Sequence, residues 1–329
     1  MGEFGLISHL TKDIRPNRET TLKGIGDDAA ILGYGGDLIA VSTDILMEGI
    51  NFDLTYTPLQ HLGYKAAVAG FSNIYAMNAQ PQQLLVSVAV SAKFSVQALE
   101  QLYHGLKLAC EHHQADLVGG DTNSSLTGLA INITTVGTVQ KEKITYRNTA
   151  KTGDLICVTG NLGASYMGLQ VLEREKKLYE ENPDIQPQLN DYEYVVGRYL
   201  KPEARKDIVG FFASTGLVPT SMIDVSDGLS SELLHICTGS KAGCNIHHHK
   251  IPVADETADV AEEFYMEPLI AALNGGDDFE LLFTVGVDDY DKVLKHPDIS
   301  IIGHIVDQEE GCHLISEDGT KIAIQAQGW

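Results

Sequence analysis

Positive charge is scarce in this chain, in which 23 Lys and Arg residues stand against 45 Asp and Glu residues and leave a formal net charge of −22. Nucleic acids and anionic membranes bind proteins through clustered cations, so neither is expected as a main partner. An acidic surface usually serves solubility, and the other interpretation is that some carboxylates coordinate hard cations, which prefer oxygen ligands. Net charge alone does not choose between the two.

Cysteine is also sparse: there are five residues, an odd number, with no C-x-x-C pair among them. We therefore expect reduced thiols in a cytoplasmic protein, not a disulfide framework, and we assign them no chemistry. The start of the chain has no basic stretch followed by a long apolar one, and no apolar run approaches the roughly 18 residues of a membrane helix. These absences predict a soluble protein with no membrane partner.

The common nucleotide-binding signatures are absent. The sequence contains no G-x-x-x-x-G-K-[ST] and no H-R-D or D-F-G element, which excludes an ordinary P-loop enzyme and a typical protein kinase. The segment VTGNLGAS at residues 158–165 follows a predicted strand and opens a predicted helix, so its backbone amides could hold a phosphate, although this signal is weak by itself. If ATP binds, magnesium and carboxylates must supply much of the binding that a P-loop lysine usually provides.

Apolar residues make up 43% of the chain and form short runs that alternate with helical patterns. Strands are predicted at residues 38–43, 84–90, 116–118, 129–139, 154–159, 281–285 and 300–305. Helices are predicted at 59–78, 96–114, 164–177, 201–214 and 226–237, the last with Ser226 or Asp227 as its N-cap. The charged residues 173–193 are expected to form a mobile excursion, and the histidine run at 247–249 an exposed edge strand. The alternation indicates an α/β or α+β protein.

Two domains are expected from the length of 329 residues. A polar segment near residues 140–153 separates two parts of similar size. We place the first domain at residues 1–148 and the second at residues 149–329.

Five segments place Asp beside Gly, or at the end of a strand, in otherwise apolar surroundings. Each alone is typical of an ordinary turn. Together they put carboxylates where buried strands end, which is the usual ligand position in α/β proteins, and glycines that let the backbone approach a phosphate. The segments are GIGDDAAIL at 24–32, STDILMEG at 42–49, VGGDT at 118–122, MIDVSDGL at 222–229 and NGGDDFELLF at 274–283.

In this order the five segments resemble the thiamine-monophosphate kinase family, within the superfamily of aminoimidazole ribonucleotide synthetase and selenophosphate synthetase. The resemblance runs from GEFGLI at residues 2–7 to Gly328-Trp329. It implies a two-domain, aminoimidazole-ribonucleotide-synthetase-like α/β (α+β) fold in a homodimer. The N-terminal sheet would form a dimeric barrel and bind ATP and Mg²⁺, and a C-terminal α/β domain would complete the site. The implied reaction is phosphorylation of thiamine monophosphate by ATP to thiamine diphosphate.

The resemblance also implies roles for individual residues. Ligands of several Mg²⁺ ions would be Asp28, Ser42, Thr43, Asp44, Asp121 and Asp224, with Asp227 on a further ion. ATP contacts would be Tyr103, Gly120, Asp121, Arg147 and Ser226, and substrate contacts Asp277 and Trp329. Two positions depart from the family pattern: Asn73 replaces an Asp that bridges magnesium ions, and Asn51 replaces a His that commonly contacts the substrate. An amide offers one neutral oxygen where a carboxylate offers two charged ones, so ion number or affinity is expected to differ.

The chemistry needs few other groups. A substrate phosphate with a second pKa of about 6 is already ionised at neutral pH, so no catalytic base is assigned. Metal ions that neutralise phosphate oxygens bring the two polyanions together.

Three functional hypotheses stand. They are direct in-line transfer to thiamine monophosphate, another ATP-dependent synthetase or dehydratase of the superfamily, or a non-catalytic magnesium–nucleotide sensor, which only Asn73 favours. As alternatives, Arg147 could be a surface residue, Tyr103 a core residue and Trp329 frayed chain.

Overall fold

Two β-sheets with helices packed against them organise the computed structural model, which describes residues 3–184 and 186–326. The first sheet contains β1 (Thr21–Lys23), β2 (Ala30–Leu32), β3 (Leu38–Met47), β4 (Gln80–Val90), β5 (Asp116–Ser124) and β6 (Ala130–Val139). The second contains β7 (Leu155–Thr159), β8 (Ser221–Val225), β9 (Ala242–His247), β10 (Glu280–Val285), β11 (Ile299–Asp307), β12 (Cys312–Ile315) and β13 (Lys321–Ala323). The helices are α1 (Glu3–Thr11), α2 (Leu59–Ala76), α3 (Val96–His113), α4 (Ala164–Glu181), α5 (Glu193–Leu200), α6 (Lys206–Thr215), α7 (Leu229–Ser240), α8 (Asp255–Glu263), α9 (Pro268–Asn274) and α10 (Tyr290–Val293).

The first sheet has the strand order β1-β2-β3-β6-β4-β5, and its neighbours are antiparallel except β4 and β5. Burial alternates residue by residue along β6, because successive side chains of a strand point to opposite faces. The buried face packs against α2, which in turn packs against α3. A Cβ at Gly63 would lie 2.0 Å from the carbonyl oxygen of Leu102, and one at Gly105 would lie 1.9 Å from that of Gln60. The two glycines therefore let these helices approach closely.

The second sheet has the order β13-β12-β9-β11-β7-β10-β8 and is antiparallel except where β9 and β12 pair. Strand β10 lies between β7 and β8, and all six of its residues are buried. One hydrophobic cluster reaches from Leu84 and Val86 of the first sheet to Leu281 and Phe283 of the second. The two sheets are therefore joined by a continuous core, and α2 contacts strands of both.

The mixed α/β class is confirmed, and each predicted strand overlaps an observed one. Strands β3 and β5 extend several residues beyond their predicted ends. Strand β5 ends in polar residues, which are tolerated in a strand when one face of the sheet is not covered, whereas β3 continues into Ile45, Leu46 and Met47. Among the described residues, no helix has the combination of length and apolar character that crossing a membrane requires.

Four local predictions were wrong. Residues 173–181 are the last turns of α4, not an excursion, and the predicted helix at 201–214 begins at Lys206. Helix α7 begins at Leu229 after Gly228, without a side-chain N-cap from Ser226 or Asp227. His247 ends a strand that has a neighbour on both sides, and residues 248–250 form a 3₁₀ turn, so the histidine run is not an edge strand.

Candidate active site

A cleft of about 890 Å³ lies between the two sheets and is lined by parts of four of the five acidic segments. Asp28 precedes β2, and Thr43 and Asp44 belong to β3. Strand β8 and the turn after it contribute Asp224, Ser226 and Asp227, and Asp277 comes from the turn before β10. Helix α2 supplies the wall between the two sheets, including Asn73. Residues more than 200 positions apart therefore meet in one place.

The floor of the cleft is a cluster of buried carboxylates. The Oγ of Ser72 donates a hydrogen bond of 2.6 Å to Asp224, and Nδ2 of Asn73 lies 3.0 Å from each carboxylate oxygen of Asp44. The guanidinium of Arg147 forms a close ion pair with Asp28. Of these three carboxylates only Asp28 pairs with the arginine, whereas Asp44 and Asp224 accept hydrogen bonds from neutral side chains.

Burial raises the pKa of each of these carboxylates. Desolvation is the largest cause at Asp28, whose pKa lies well above its usual value although Arg147 acts in the opposite direction. Desolvation likewise raises the pKa of Asp224, and it raises that of Asp44 to about 6, with the neighbouring Asp224 charge adding to the effect. A bound cation would favour the ionised forms, so the site is electrostatically prepared for one.

The turn between β8 and α7 presents Ser226 and Asp227 to the cleft. The backbone N–H of Asp227 donates to Glu232 of α7 at 3.0 Å, and the backbone N–H of Asp277 donates to the carbonyl oxygen of Ser226 at 2.8 Å. Gly228 has φ +101°, and a Cβ there would lie 2.7 Å from the carbonyl oxygen of Gly275. Only glycine fits this crossing, which brings the two acidic turns together.

The other end of the cleft combines aromatic rings with charged pairs. The Nζ of Lys65, which is 3% exposed, lies 2.8 Å from Asp277 and 3.8 Å from the centre of the Tyr199 ring. Lys176 of α4 forms an ion pair of 2.7 Å with Asp53. The ring of Tyr56 lies 6.3 Å from that of Tyr199 and also lines the cleft. Asn51 is close by and accepts a hydrogen bond from the backbone N–H of Met47.

Comparisons with known proteins agree with this geometry. A family model for the N-terminal domain of AIR synthase related protein matches residues 26–139. Thiamine-monophosphate kinase of Buchnera aphidicola subsp. Schizaphis graminum is 33% identical over 99% of this chain and 98% of its own length. That of Bacillus subtilis is 32% identical over 100% of this chain and 99% of its own. The chain belongs to the thiamine-monophosphate kinase family.

Solved structures support the same family. The structure of AaThiL complexed with AMPPCP and TMP has a TM-score of 0.85 at 29% identity and covers 100% of this chain and 96% of its own. Thiamine monophosphate kinase of Aquifex aeolicus has a TM-score of 0.77 at 26% identity, with 97% and 98% coverage. The HypE-HypF complex, at 19% identity and a TM-score of 0.75, shares the fold alone. Membership of the thiamine-monophosphate kinase family makes this chain a phosphotransferase.

Most residues that the family resemblance singles out do line the cleft. They are Asp28, Thr43, Asp44, Asn51, Asn73, Arg147, Asp224, Ser226, Asp227 and Asp277. Arg147 is largely buried in its ion pairs, so the alternative of a surface residue is wrong. Ser42 is buried on the same face of β3 as Asp44, but it does not line the cleft.

Three of these family positions lie elsewhere in the single chain. Gly120 and Asp121 belong to β5, an edge strand of which every residue is exposed, and neither lines the cleft. A Cβ at Gly120 would lie 1.7 Å from the carbonyl oxygen of Val86, which accounts for the glycine by strand packing. Tyr103 is 36% exposed on α3, so it is not a core residue. Trp329 lies outside the described residues.

Several residues of the kinase cleft carry no signal in the sequence. Lys65 lies on α2, most of whose residues are buried, Tyr199 lies on α5, and Glu232 and His235 lie on α7. Burial, together with the charge of Arg147, lowers the pKa of His235 to about 4, so its ring is neutral. A buried lysine on a helix between two sheets is recognisable only once the fold is known, because its place in the helical repeat is that of an ordinary core residue.

The segment VTGNLGAS does not offer its amides to a phosphate. The backbone N–H of Gly163 donates to Asp278 at 2.7 Å, and that of Ser165 points to the same carboxylate at 3.5 Å. Desolvation raises the pKa of Asp278 to about 7, although these bonds and Arg198 act against it. A carboxylate of the chain itself therefore occupies this anion-binding position.

Proposed function

We propose that this chain transfers the terminal phosphoryl group of ATP to the phosphate of thiamine monophosphate, giving thiamine diphosphate and ADP. The observation that carries the proposal is the convergence of the acidic segments on one cleft that also contains Arg147. Relatives named for this reaction, and a similar structure complexed with AMPPCP and TMP, support the choice of substrates.

The residues of the cleft fit several magnesium ions. Their donors are almost all oxygen atoms, as Mg²⁺ prefers, and Oδ2 of Asp28 is buried without a hydrogen-bond partner among the described residues. Asp28, Asp44 and Asp224 would hold the ions, with Thr43, Asn73 and Asp227 beside them. When bound, magnesium neutralises the oxygens of the phosphates and so lowers the repulsion between ATP and the substrate.

The chain itself supplies binding and orientation. Arg147 offers a planar, permanently charged fork for a phosphate, and Ser226 offers a hydroxyl and the backbone of a turn held by Gly228. No residue is assigned as a general base, because the attacking phosphate oxygen is already ionised. We propose direct in-line transfer without a phosphoenzyme. Inversion at phosphorus with an isotopically chiral ATP supports this, and retention would exclude it.

The far end of the cleft suits the thiamine part of the substrate. Asp53, Asp277 and Asn51 provide oxygen atoms for polar groups and for a positively charged ring. Tyr56 and Tyr199 provide aromatic faces, and Lys65 already lies over one of them. A cationic heteroaromatic ring is attracted by both carboxylates and aromatic faces. We place the substrate ring here and the phosphates at the carboxylate floor.

We also propose a cytoplasmic homodimer in which the first sheet meets its copy and closes a barrel. The sheet of a single chain has two open edges, and its uncovered face exposes Ile45, Met47 and Leu85. Exposed strand edges and apolar faces of this kind are normally covered by a partner. Gly120, Asp121 and Tyr103 would act at that interface. In this arrangement residues 1–148 bind nucleotide and dimerise, and residues 149–329 complete the site.

The direct test is turnover with MgATP and thiamine monophosphate, followed by chromatographic detection of thiamine diphosphate. Formation of thiamine diphosphate and ADP in equal amounts is expected. Binding of ATP with no product from thiamine monophosphate would instead favour the nucleotide sensor that Asn73 suggests, or a synthetase with a different substrate. A matched reaction with thiamine in place of its monophosphate is expected to give no product.

A further inference from the structure

Three of the five cysteines meet in the second sheet, far apart in sequence. Cys244 of β9 and Cys312 of β12 are paired in the parallel register, and Cys237 lies on α7 above them. Their Sγ atoms all lie within 4.8 Å of one another. The spacing along the chain shows no reactive thiol, whereas the fold brings three together.

The three thiols differ in accessibility. Cys237 and Cys244 are 1% and 0% exposed, whereas Cys312 is only partly buried. Their neighbours in the same cluster are apolar, among them Leu233, Ile246 and Leu314. A reagent from solution therefore reaches Cys312 first, and the two inner thiols can react only with a sulfur that is already next to them.

The three thiols also differ in pKa because their surroundings differ. Hydrogen bonds donated by the thiols of Cys237 and Cys244 lower the pKa of Cys312. The pKa of Cys244 is raised, first by its hydrogen bonds to the other two thiols and then by burial. A thiolate is the form of cysteine that attacks electrophiles. Cys312 is thus the most accessible of the three thiols and the one whose ionised form its neighbours stabilise.

We propose that Cys312 is an oxidation site that reacts with hydroperoxides and is resolved by Cys244 or Cys237 as a disulfide within the chain. An accessible thiolate beside a second thiol is the arrangement of redox-responsive cysteines. Neighbouring strands are about 4.8 Å apart, which lies within the range of Cα separations that a disulfide spans. The Sγ atoms of Cys312 and Cys244, which lie within 4.8 Å of each other, must approach to about 2.05 Å for the bond to form.

The reaction balances in two steps. The Cys312 thiolate attacks the terminal oxygen of the hydroperoxide; an S–O bond forms, the O–O bond breaks, and the alkoxide or hydroxide that leaves takes a proton from water. The inner thiol then attacks the sulfenic sulfur, so that an S–S bond forms, the S–O bond breaks and water leaves with the thiol proton. Two sulfurs are oxidised by two electrons, and the hydroperoxide is reduced to an alcohol or water.

Charge favours this product over a metal complex of the same thiols. Three thiolates around a monovalent or divalent cation would leave net negative charge in apolar surroundings, where unpaired charge is costly. A disulfide and the remaining thiol are neutral.

The test is exposure of the native protein to hydrogen peroxide, followed by alkylation under denaturing conditions and peptide mass spectrometry. Loss of two of the five thiols is expected, with a cross-linked peptide that contains Cys312 and with recovery of both thiols after dithiothreitol. Oxidation of Cys312 to the sulfinic acid while Cys237 and Cys244 remain alkylated would overturn the proposal, as would five intact thiols.

Cysteine variants distinguish oxidation at this cluster from oxidation of any thiol in the protein. Cys312→Ser is expected to keep its four thiols, and Cys110→Ser, which removes a lone buried thiol, is expected to form the disulfide as the unmodified chain does. Cys237→Ser/Cys244→Ser leaves Cys312 without a resolving partner and should yield its sulfenic acid, trapped by dimedone. Thiol loss in Cys312→Ser as fast as in the unmodified chain would contradict the assignment.

Discussion

The substitution Asn73→Asp tests the electrostatics of the cleft most sharply, because it places a second carboxylate directly beside Asp44. Nδ2 of Asn73 now lies 3.0 Å from both oxygens of Asp44. The substitution replaces a favourable hydrogen bond by a contact between two carboxylates. In the absence of metal the variant is therefore expected to be less stable.

The loss of stability in Asn73→Asp follows from the distance between the two carboxylates. Two unit charges about 3 Å apart repel by roughly 5 kcal/mol at an effective dielectric constant of about 20. Rotation of one carboxyl group and its protonation relieve part of this, which leaves about 2–3 kcal/mol. In a chain of 329 residues that loss lowers the melting temperature by roughly 3–4 °C. A bridging divalent cation reverses the sign of the interaction, so magnesium is expected to restore at least the same amount.

The assay is thermal unfolding of both proteins against MgCl₂, with ionic strength kept constant by KCl. Asn73→Asp is expected to unfold at a lower temperature without metal and to gain more from magnesium, with a midpoint at lower concentration. Asn190→Asp adds the same charge on an exposed residue outside the cleft and should titrate like the unmodified chain. Identical magnesium titrations of the Asn73→Asp variant and the unmodified chain would refute the proposed role of this position in metal binding.

Three further substitutions have expected outcomes. Asp44→Asn should lower turnover by about 100-fold or more. It should also stabilise the metal-free protein at pH 8 by about 1–3 kcal/mol, as measured by denaturant unfolding without metal. The reason is that the pKa of Asp44 is raised to about 6 in the folded chain, so its ionised form opposes folding above pH 6. Asp121→Asn should also greatly reduce turnover if β5 acts at a dimer interface, and near-normal rates would remove that residue from the site. Burial lowers the pKa of His113, whose ring contacts Tyr75, to about 3, so below pH 7 the unfolded chain binds a proton that the folded chain does not. The free energy of unfolding of the unmodified chain therefore falls between pH 7 and pH 5. In His113→Phe this fall should be about 2 kcal/mol smaller, as measured by denaturant titrations at the two pH values.

The sequence predicted where strands lie better than it predicted where helices begin and end and how the elements are connected. A short apolar run such as Leu281 to Val285 is typical of a buried strand, and this run lies in one. The end of α4 was missed because its last turns are charged, and an exposed helix face looks like a loop in a single sequence. The run at 247–249 was misplaced because β12, a short strand far along the chain, covers the edge of β9.

The acidic part of the site was predictable because its residues stand at strand ends with glycines beside them. Lys65, Tyr199 and Glu232 were not, because their spacing is that of helix core positions and only the packing of α2 and α7 turns them toward the cleft. Asp121 and Tyr103 lie outside the cleft of the single chain, and their proposed roles rest on the proposed dimer. The cluster of Cys237, Cys244 and Cys312 depends on a parallel strand pairing that no local pattern encodes.

Anomalous scattering from Mn²⁺, used in place of magnesium in crystals grown with AMPPCP and thiamine monophosphate, tests the central claim most directly. The account predicts several peaks in the cleft within about 2.5 Å of carboxylate oxygens of Asp28, Asp44 and Asp224, next to the phosphates. Peaks that lie away from these three residues, or nucleotide bound without any manganese between it and the carboxylates, would contradict it.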